Sequence, residues 1–193
     1  MTRMCSTLPL EYAIKKLKDK NLCVEIGTYY AGWTKYLSDY FTNVITFQTP
    51  DMNKLNNVGS TDGEFSEDGL KWKQLMKQRL PEEYHNRYDF NFLTEQIQGI
   101  KNVMQILHNS PPAVAFEYQF DLCTIDITRD PEEHLKQYKY WKNKGKLGSI
   151  ILMGVYDVKP YDNFSITQKD FFQKIETNWY FYEGDSRYII IEL

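Results

Sequence analysis

The sequence predicts an α/β protein built on a doubly wound, mostly parallel sheet of seven strands that ends in an antiparallel hairpin. Three observations carry this expectation. First, five apolar, strand-like segments alternate with helical ones between residues 22 and 153, the pattern of parallel strands joined by right-handed crossovers. Second, the chain closes on two strand-like runs, Trp179-Tyr180-Phe181-Tyr182-Glu183 and Arg187-Tyr188-Ile189-Ile190-Ile191-Glu192-Leu193, separated only by Gly184-Asp185-Ser186. A parallel crossover needs a dozen residues or more, so these two must be antiparallel neighbours. Third, the first strand runs directly into a glycine-bearing turn, as at the first βα turn of a doubly wound sheet.

Taken in order, the periodicity predicts a helix over 9–20 with Pro9 in its first turn, a strand over 22–26, a helix over 33–41 and a strand over 44–48. The stretch from Thr49 to Glu67 carries Asn53, Asn56, Asn57, Gly59, Ser60, Asp62 and Gly63 and reads as a loop or insertion. With the helical segments after it, the expectation is an insertion or lid at about 49–82; loops of that length usually have a function. Residues 67–79 and 82–101 read as helices, 103–108 as a strand, and Pro111-Pro112 as the start of a short helix. Phe120–Ile127 reads as a strand whose apolar run reaches Asp126. Pro131-Glu132-Glu133 opens a helix over 131–143, placing proline and acids where the helix dipole favours them. Ser149–Met153 is the fifth strand, and a helix over about 166–177 precedes the hairpin.

At 193 residues the chain reads as one domain with room for a sizeable core. Its 23 basic and 26 acidic residues are mixed throughout and give a net charge of -3, which is not the electrostatic footprint of a nucleic-acid binder. Lys15-Lys16-Leu17-Lys18-Asp19-Lys20 is a basic cluster, but Asp19 within it fits a solvated helix face. Cys5, Cys23 and Cys123 form no C-x-x-C pair, and two of them lie in apolar runs, as reduced buried thiols do. There is no 18-residue apolar run and no secretory leader pattern. The expectation is a cytoplasmic protein with no membrane partner; homo-oligomer formation stays open.

The candidate site starts from Leu22-Cys23-Val24-Glu25-Ile26-Gly27-Thr28-Tyr29-Tyr30-Ala31-Gly32-Trp33-Thr34. Glycines there let backbone approach a ligand, and the following helix offers unpaired N–H groups. Gly27 and Gly32 are spaced G-x-x-x-x-G with no Lys after them, which matches neither the dinucleotide fingerprint nor the phosphate loop. Glu25 would repel a pyrophosphate but accept hydrogen bonds from an amine or hydroxyl. A carboxylate or nucleoside ligand fits better than a phosphate. An ordinary βα turn with two convenient glycines is the competing reading.

These motifs and this element order resemble the class I S-adenosylmethionine-dependent methyltransferases with their Rossmann-like sheet, within them the compact group that includes sugar O-methyltransferases. The resemblance runs from about Leu22 to Leu193, and the terminal hairpin is its most discriminating feature. It implies S-adenosyl-L-methionine as cofactor, held by Glu25, Gly27, Thr28, Tyr29 and Gly32 at the first turn, Gln48 at the ribose, Asn109 and Ser110 at the adenine, and Asp126. The chain departs from the family at several places. Gln48 stands where relatives carry an acid, and Trp33 follows Gly32 where the related group has Ser and would crowd the methionine end of the cofactor. The family's Asp-Gly-x-His becomes Asp126-Ile127-Thr128-Arg129, and its later pair of acids becomes Met153-Gly154-Val155-Tyr156-Asp157. With so few carboxylates no metal is expected.

The implied function is methyl transfer to a small-molecule acceptor, such as a sugar hydroxyl, without a metal. Candidate bases at the C-terminal sheet edge are Asp126, Asp157, Tyr156 and His108. The substrate would be framed by residues 49–64, Tyr29, Tyr30, Arg129 and the 154–165 loop. The alternative is a non-catalytic binding or assembly subunit that kept the fold, because fold does not imply function. A nicotinamide-dependent oxidoreductase is disfavoured by the missing G-x-G-x-x-G.

Overall fold

The computed structural model describes residues 7–27, 31–48, 97–108, 110, 116–127, 130–155, 167–184 and 186–193. Within them the elements run α1 (Leu8–Lys16), β1 (Leu22–Ile26), α2 (Gly32–Ser38), β2 (Asn43–Gln48), β3 (Val103–Leu107), β4 (Phe120–Ile125), α3 (Pro131–Trp141), a 3-10 turn (Lys142–Lys144), β5 (Gly145–Gly154), α4 (Gln168–Gln173), β6 (Asn178–Phe181) and β7 (Tyr188–Glu192). The expected insertion or lid at 49–82, the helix over 67–79, most of that over 82–101 and the short helix after Pro111 lie outside the described residues.

The strands form one seven-stranded sheet in the order β3-β2-β1-β4-β5-β7-β6. All pairs from β3 to β5 are parallel, and β7 pairs antiparallel with both β5 and β6. Every residue of β1 and β4 is buried, as expected for central strands covered on both faces. Side-chain parity divides the apolar residues between two layers. Cys23, Val44, Leu122, Leu152 and Ile190 face Leu10, Ala13 and Ile14 of α1 and Leu37 of α2. Val24, Ile45, Cys123, Ile151 and Ile191 face Leu135, Tyr138 and Trp141 of α3 and Phe171 of α4.

Several boundaries differ from the sequence expectation, each for a local reason. Helix α1 stops at Lys16 because Leu17 turns extended (ψ 134) and buries its side chain in the core, taking the basic run after it out of the helix. Helix α3 opens as expected, with Pro131 in its first turn and Asp130 accepting a hydrogen bond from Glu132 N, but tightens to 3-10 geometry after Trp141. Strand β5 starts at Gly145 because a bulge intervenes: its pairing jumps from Phe120↔Gly145 to Leu122↔Ile150, and Leu147 is wholly exposed on the bulge. Helix α4 is shorter than expected and begins where Thr167 and Asp170 form a reciprocal capping box.

Asp121 ties the opposite end of the sheet together. Its Oδ2 accepts from the backbone N–H groups of Asn21 and Leu22, both at 2.8 Å, and its Oδ1 accepts from Lys146 Nζ at 2.8 Å. Burial alone would raise this carboxyl, yet Lys146 and the two N–H groups hold it below the usual carboxylate range. Asp121→Ala would orphan two backbone donors and one ammonium; chemical denaturation should show a loss of about 3 kcal/mol, with the sheet otherwise unchanged by circular dichroism.

Candidate active site

The parallel strands deliver their C-terminal ends to one edge, and the strand order reverses between β1 and β4. Backbone bonds carry the ladder one residue past each strand. Gly27 N donates to Phe47 O (2.9 Å), Asp126 N to Ile26 O (3.2 Å), His108 N to Gln48 O (3.0 Å) and Val155 N to Arg187 O (2.6 Å). Gly27, Gln48, His108, Asp126 and Val155 are thereby held along one rim, with Gly27 and Asp126 side by side at the reversal. Ligands of open α/β sheets bind in such a crevice.

Gly27 has φ +97, and a Cβ there would lie 2.8 Å from Ile127 Cγ2 and 2.9 Å from Asp126 O. Its lack of a side chain lets the exit of β1 lie against the exit of β4. Gly32 differs: among the described residues, a Cβ there would meet nothing within 4 Å. Between them Ala31, wholly buried, adopts φ 56 as it caps α2. A non-glycine residue in the left-handed region stores strain, and such strain concentrates at functional turns.

Glu25 is 2% exposed, and its Oε2 accepts from Thr34 Oγ1 of α2 at 2.5 Å; Thr46 of β2 is a second partner. Burial pushes its carboxyl up to about 7 against the pull of the two threonines, and the negative charge of Asp126 adds to the rise. Glu25 sits in register between Thr46 and Thr124, on the face that carries α2. Its carboxyl therefore braces the start of α2 on the sheet.

The other candidates divide. Gln48 is buried at the end of β2, and His108 is half-buried just past β3. Ser110 is fastened to α3: its hydroxyl donates to Gln137 Oε1 at 2.6 Å and accepts from Trp141 Nε1 at 3.1 Å, while its carbonyl accepts from Gln137 Nε2 at 2.6 Å. Asp126 is half-buried and receives the Tyr188 hydroxyl at 3.5 Å on Oδ2. Trp33, expected to crowd the cofactor, is 8% exposed and packs in the core under α2, its ring 5.7 Å from that of Tyr188. Thr28, Tyr29, Tyr30, Asn109, Arg129, Tyr156 and Asp157 lie outside the described residues. Among the described residues no three His, Cys, Asp or Glu side chains gather as a metal-binding set, and no helix is long and apolar enough to cross a membrane.

Neither a protein-family model nor a curated protein matches the chain. Solved structures do. An rRNA methylase from Streptococcus thermophilus superposes with a TM-score of 0.52 at 12% identity, covering 100% of this chain and 99% of its own. A precorrin-6y C5,15-methyltransferase from Geobacter metallireducens gives 0.56 at 9% identity, over 98% and 89% of the two chains. A Streptococcus mutans protein assigned as a methyltransferase, in complex with SAH, gives 0.51 at 13% identity over 100% of both. The chain carries the class I methyltransferase fold. Within that fold the reversal between β1 and β4 sets the edge occupied here by Gly27 and Asp126.

Tyr188 is the residue at this edge that sequence reasoning missed. The signal was a glycine, Gly154, at the end of β5 with an aromatic residue opening the strand that pairs with it.

The buried Glu25 has a signed consequence for stability. Its carboxyl ordinarily titrates near 4.5 and is raised to about 7 in the fold, so between those values the folded protein holds the proton more tightly and stability falls as pH rises. Urea denaturation of wild type and Glu25→Gln at pH 5 and pH 8 should differ in pH dependence by up to about 3 kcal/mol, the wild type losing more at pH 8.

Proposed function

We propose that the chain binds S-adenosyl-L-methionine at the β1–β4 edge and transfers its methyl group to a small-molecule acceptor, with a sugar hydroxyl as the first class to test. The observation that carries this reading is the strand order with its reversal at Gly27 and Asp126. The SAH bound to the Streptococcus mutans protein of the same fold supports the cofactor.

The residues present suit that cofactor in type. Gly32 is exposed at the start of α2, Gln48 lies at the end of β2, and Asp126 stands half-buried on the same rim. S-adenosylmethionine supplies a methyl group already activated on a sulfonium, so the protein's share is alignment, exclusion of water and removal of one proton. Asp126 is suited to removing that proton, since Glu25 is engaged by its two threonines, whereas Asp126 stands half-exposed on the rim. The net charge of -3, spread over both signs, favours a small acceptor over a polyanion, although one protein of this fold is an rRNA methylase.

A second reading, a binding or assembly subunit without chemistry, is favoured by Gln48 in place of an acid and by the engagement of Ser110 with α3. Binding and turnover separate the two.

S-adenosylhomocysteine at a hundredfold excess over its Kd should stabilise the protein by about 2.7 kcal/mol, read as a rise in Tm of several degrees. No rise at millimolar ligand removes both cofactor and enzyme. With radiolabelled S-adenosylmethionine and a monosaccharide panel, wild type should label an acceptor and Asp126→Asn should lose roughly a hundredfold in rate. A shift without labelling of any acceptor points to the binding subunit.

A further inference from the structure

We infer that Tyr188, the first residue of the last strand, is a positioning residue for Asp126. This rests on the proposed reading, in which Asp126 takes the acceptor's proton.

The geometry comes from one row across the sheet. Asp126 leaves β4 beside the end of β5, where Gly154 pairs with Tyr188 of β7. Gly154 has no side chain, so the Tyr188 phenol crosses it and its hydroxyl reaches Asp126 Oδ2 at 3.5 Å. On its other side the Tyr188 ring meets the Trp33 indole of α2, with centroids 5.7 Å apart and planes inclined by 39°. Tyr188 is only 4% exposed, so its hydroxyl is held by packing on both flanks and not by solvent.

A phenol donating to a carboxylate favours the charged form and restrains rotation of the carboxyl group. Among the described residues, Glu25 and Tyr188 are titratable groups that bear on Asp126. Glu25 of β1 is close enough for its charge and that of Asp126 to disfavour one another; β7 contributes Tyr188, and β5 contributes the uncharged Gly154. Tyr188 donates to Asp126 from β7 and restrains its carboxyl group at the rim. The donor lies 62 residues away in sequence, on the hairpin that closes the sheet.

Tyr188→Phe keeps the ring against Trp33 and removes the hydroxyl alone. With aspartate carboxyls labelled by ¹³C, and the Asp126 signal assigned from Asp126→Asn, the Asp126 carboxyl should titrate about half a unit or more higher in Tyr188→Phe than in wild type. In methyl transfer from S-adenosylmethionine to the monosaccharide that wild type labels, kcat should fall roughly tenfold, KM for S-adenosylmethionine should stay within about twofold, and the acid limb of the pH–rate profile should move up with the carboxyl. Identical Asp126 titration in the two proteins overturns the inference whatever the rates. An unchanged kcat and acid limb also overturn it. If wild type labels no acceptor, the proposed function fails, and the carboxyl titration still decides whether Tyr188 governs Asp126.

Discussion

The C-terminal edge of this sheet depends on the absence of a side chain at Gly27. The exit of β1 is pressed against that of β4 so closely that a single methyl group would lie within 2.9 Å of both the Asp126 carbonyl and the Ile127 side chain. The Asp126 carbonyl does not yield easily, since it is backbone and the Asp126 N–H is bonded to Ile26 O. The same contact sets where the reversal between β1 and β4 opens and where the Asp126 carboxylate stands on the rim. A residue that reads as a ligand glycine in sequence is thus a chain-packing glycine in the fold.

Two carboxyl groups near that contact have different surroundings. Glu25 lies inside, with two threonine hydroxyls as its partners, and the cost of burying its charge exceeds what those hydrogen bonds return, so it holds a proton up to about pH 7. Asp126 keeps contact with water and has a phenol at its carboxylate. Here the inner one secures α2 to the sheet, and the outer one is the base of the proposed transfer.

Alternation of strands and helices made the parallel core legible, and the three-residue turn at 184–186 made the antiparallel ending legible, because both follow from local spacing. Boundaries were less so. That α1 ends at Lys16 depends on Leu17 finding the core, and that β5 starts at Gly145 depends on a bulge with Leu147 in solvent; both are tertiary facts. At the site, the rim positions of Gly27, Gln48, His108 and Asp126 follow from where strands end. The direction of Glu25 did not, because parity places it on the same face as Cys23 but does not tell which helix covers that face. The binding of Ser110 to Gln137 and Trp141, and of Tyr188 to Asp126, joins segments whose sequence separation hides any shared pattern.

The terminal hairpin links these features mechanically. At one end of β7, Glu192 and Tyr180 hold Lys16 of α1, at 2.9 and 2.6 Å, and the ammonium also lies 4.8 Å from the Tyr180 ring. At the other end Tyr188 meets Trp33 and Asp126. The Lys16–Glu192 pair is more than a third exposed and contributes at most about 1 kcal/mol, the cation–aromatic contact a similar amount. Between the two ends Ile189, Ile190 and Ile191 are wholly buried, each worth about 2 kcal/mol or more in apolar burial. Core burial therefore outweighs the surface anchor in fixing β7, and the position of the Tyr188 hydroxyl is inherited from isoleucines that never reach the rim.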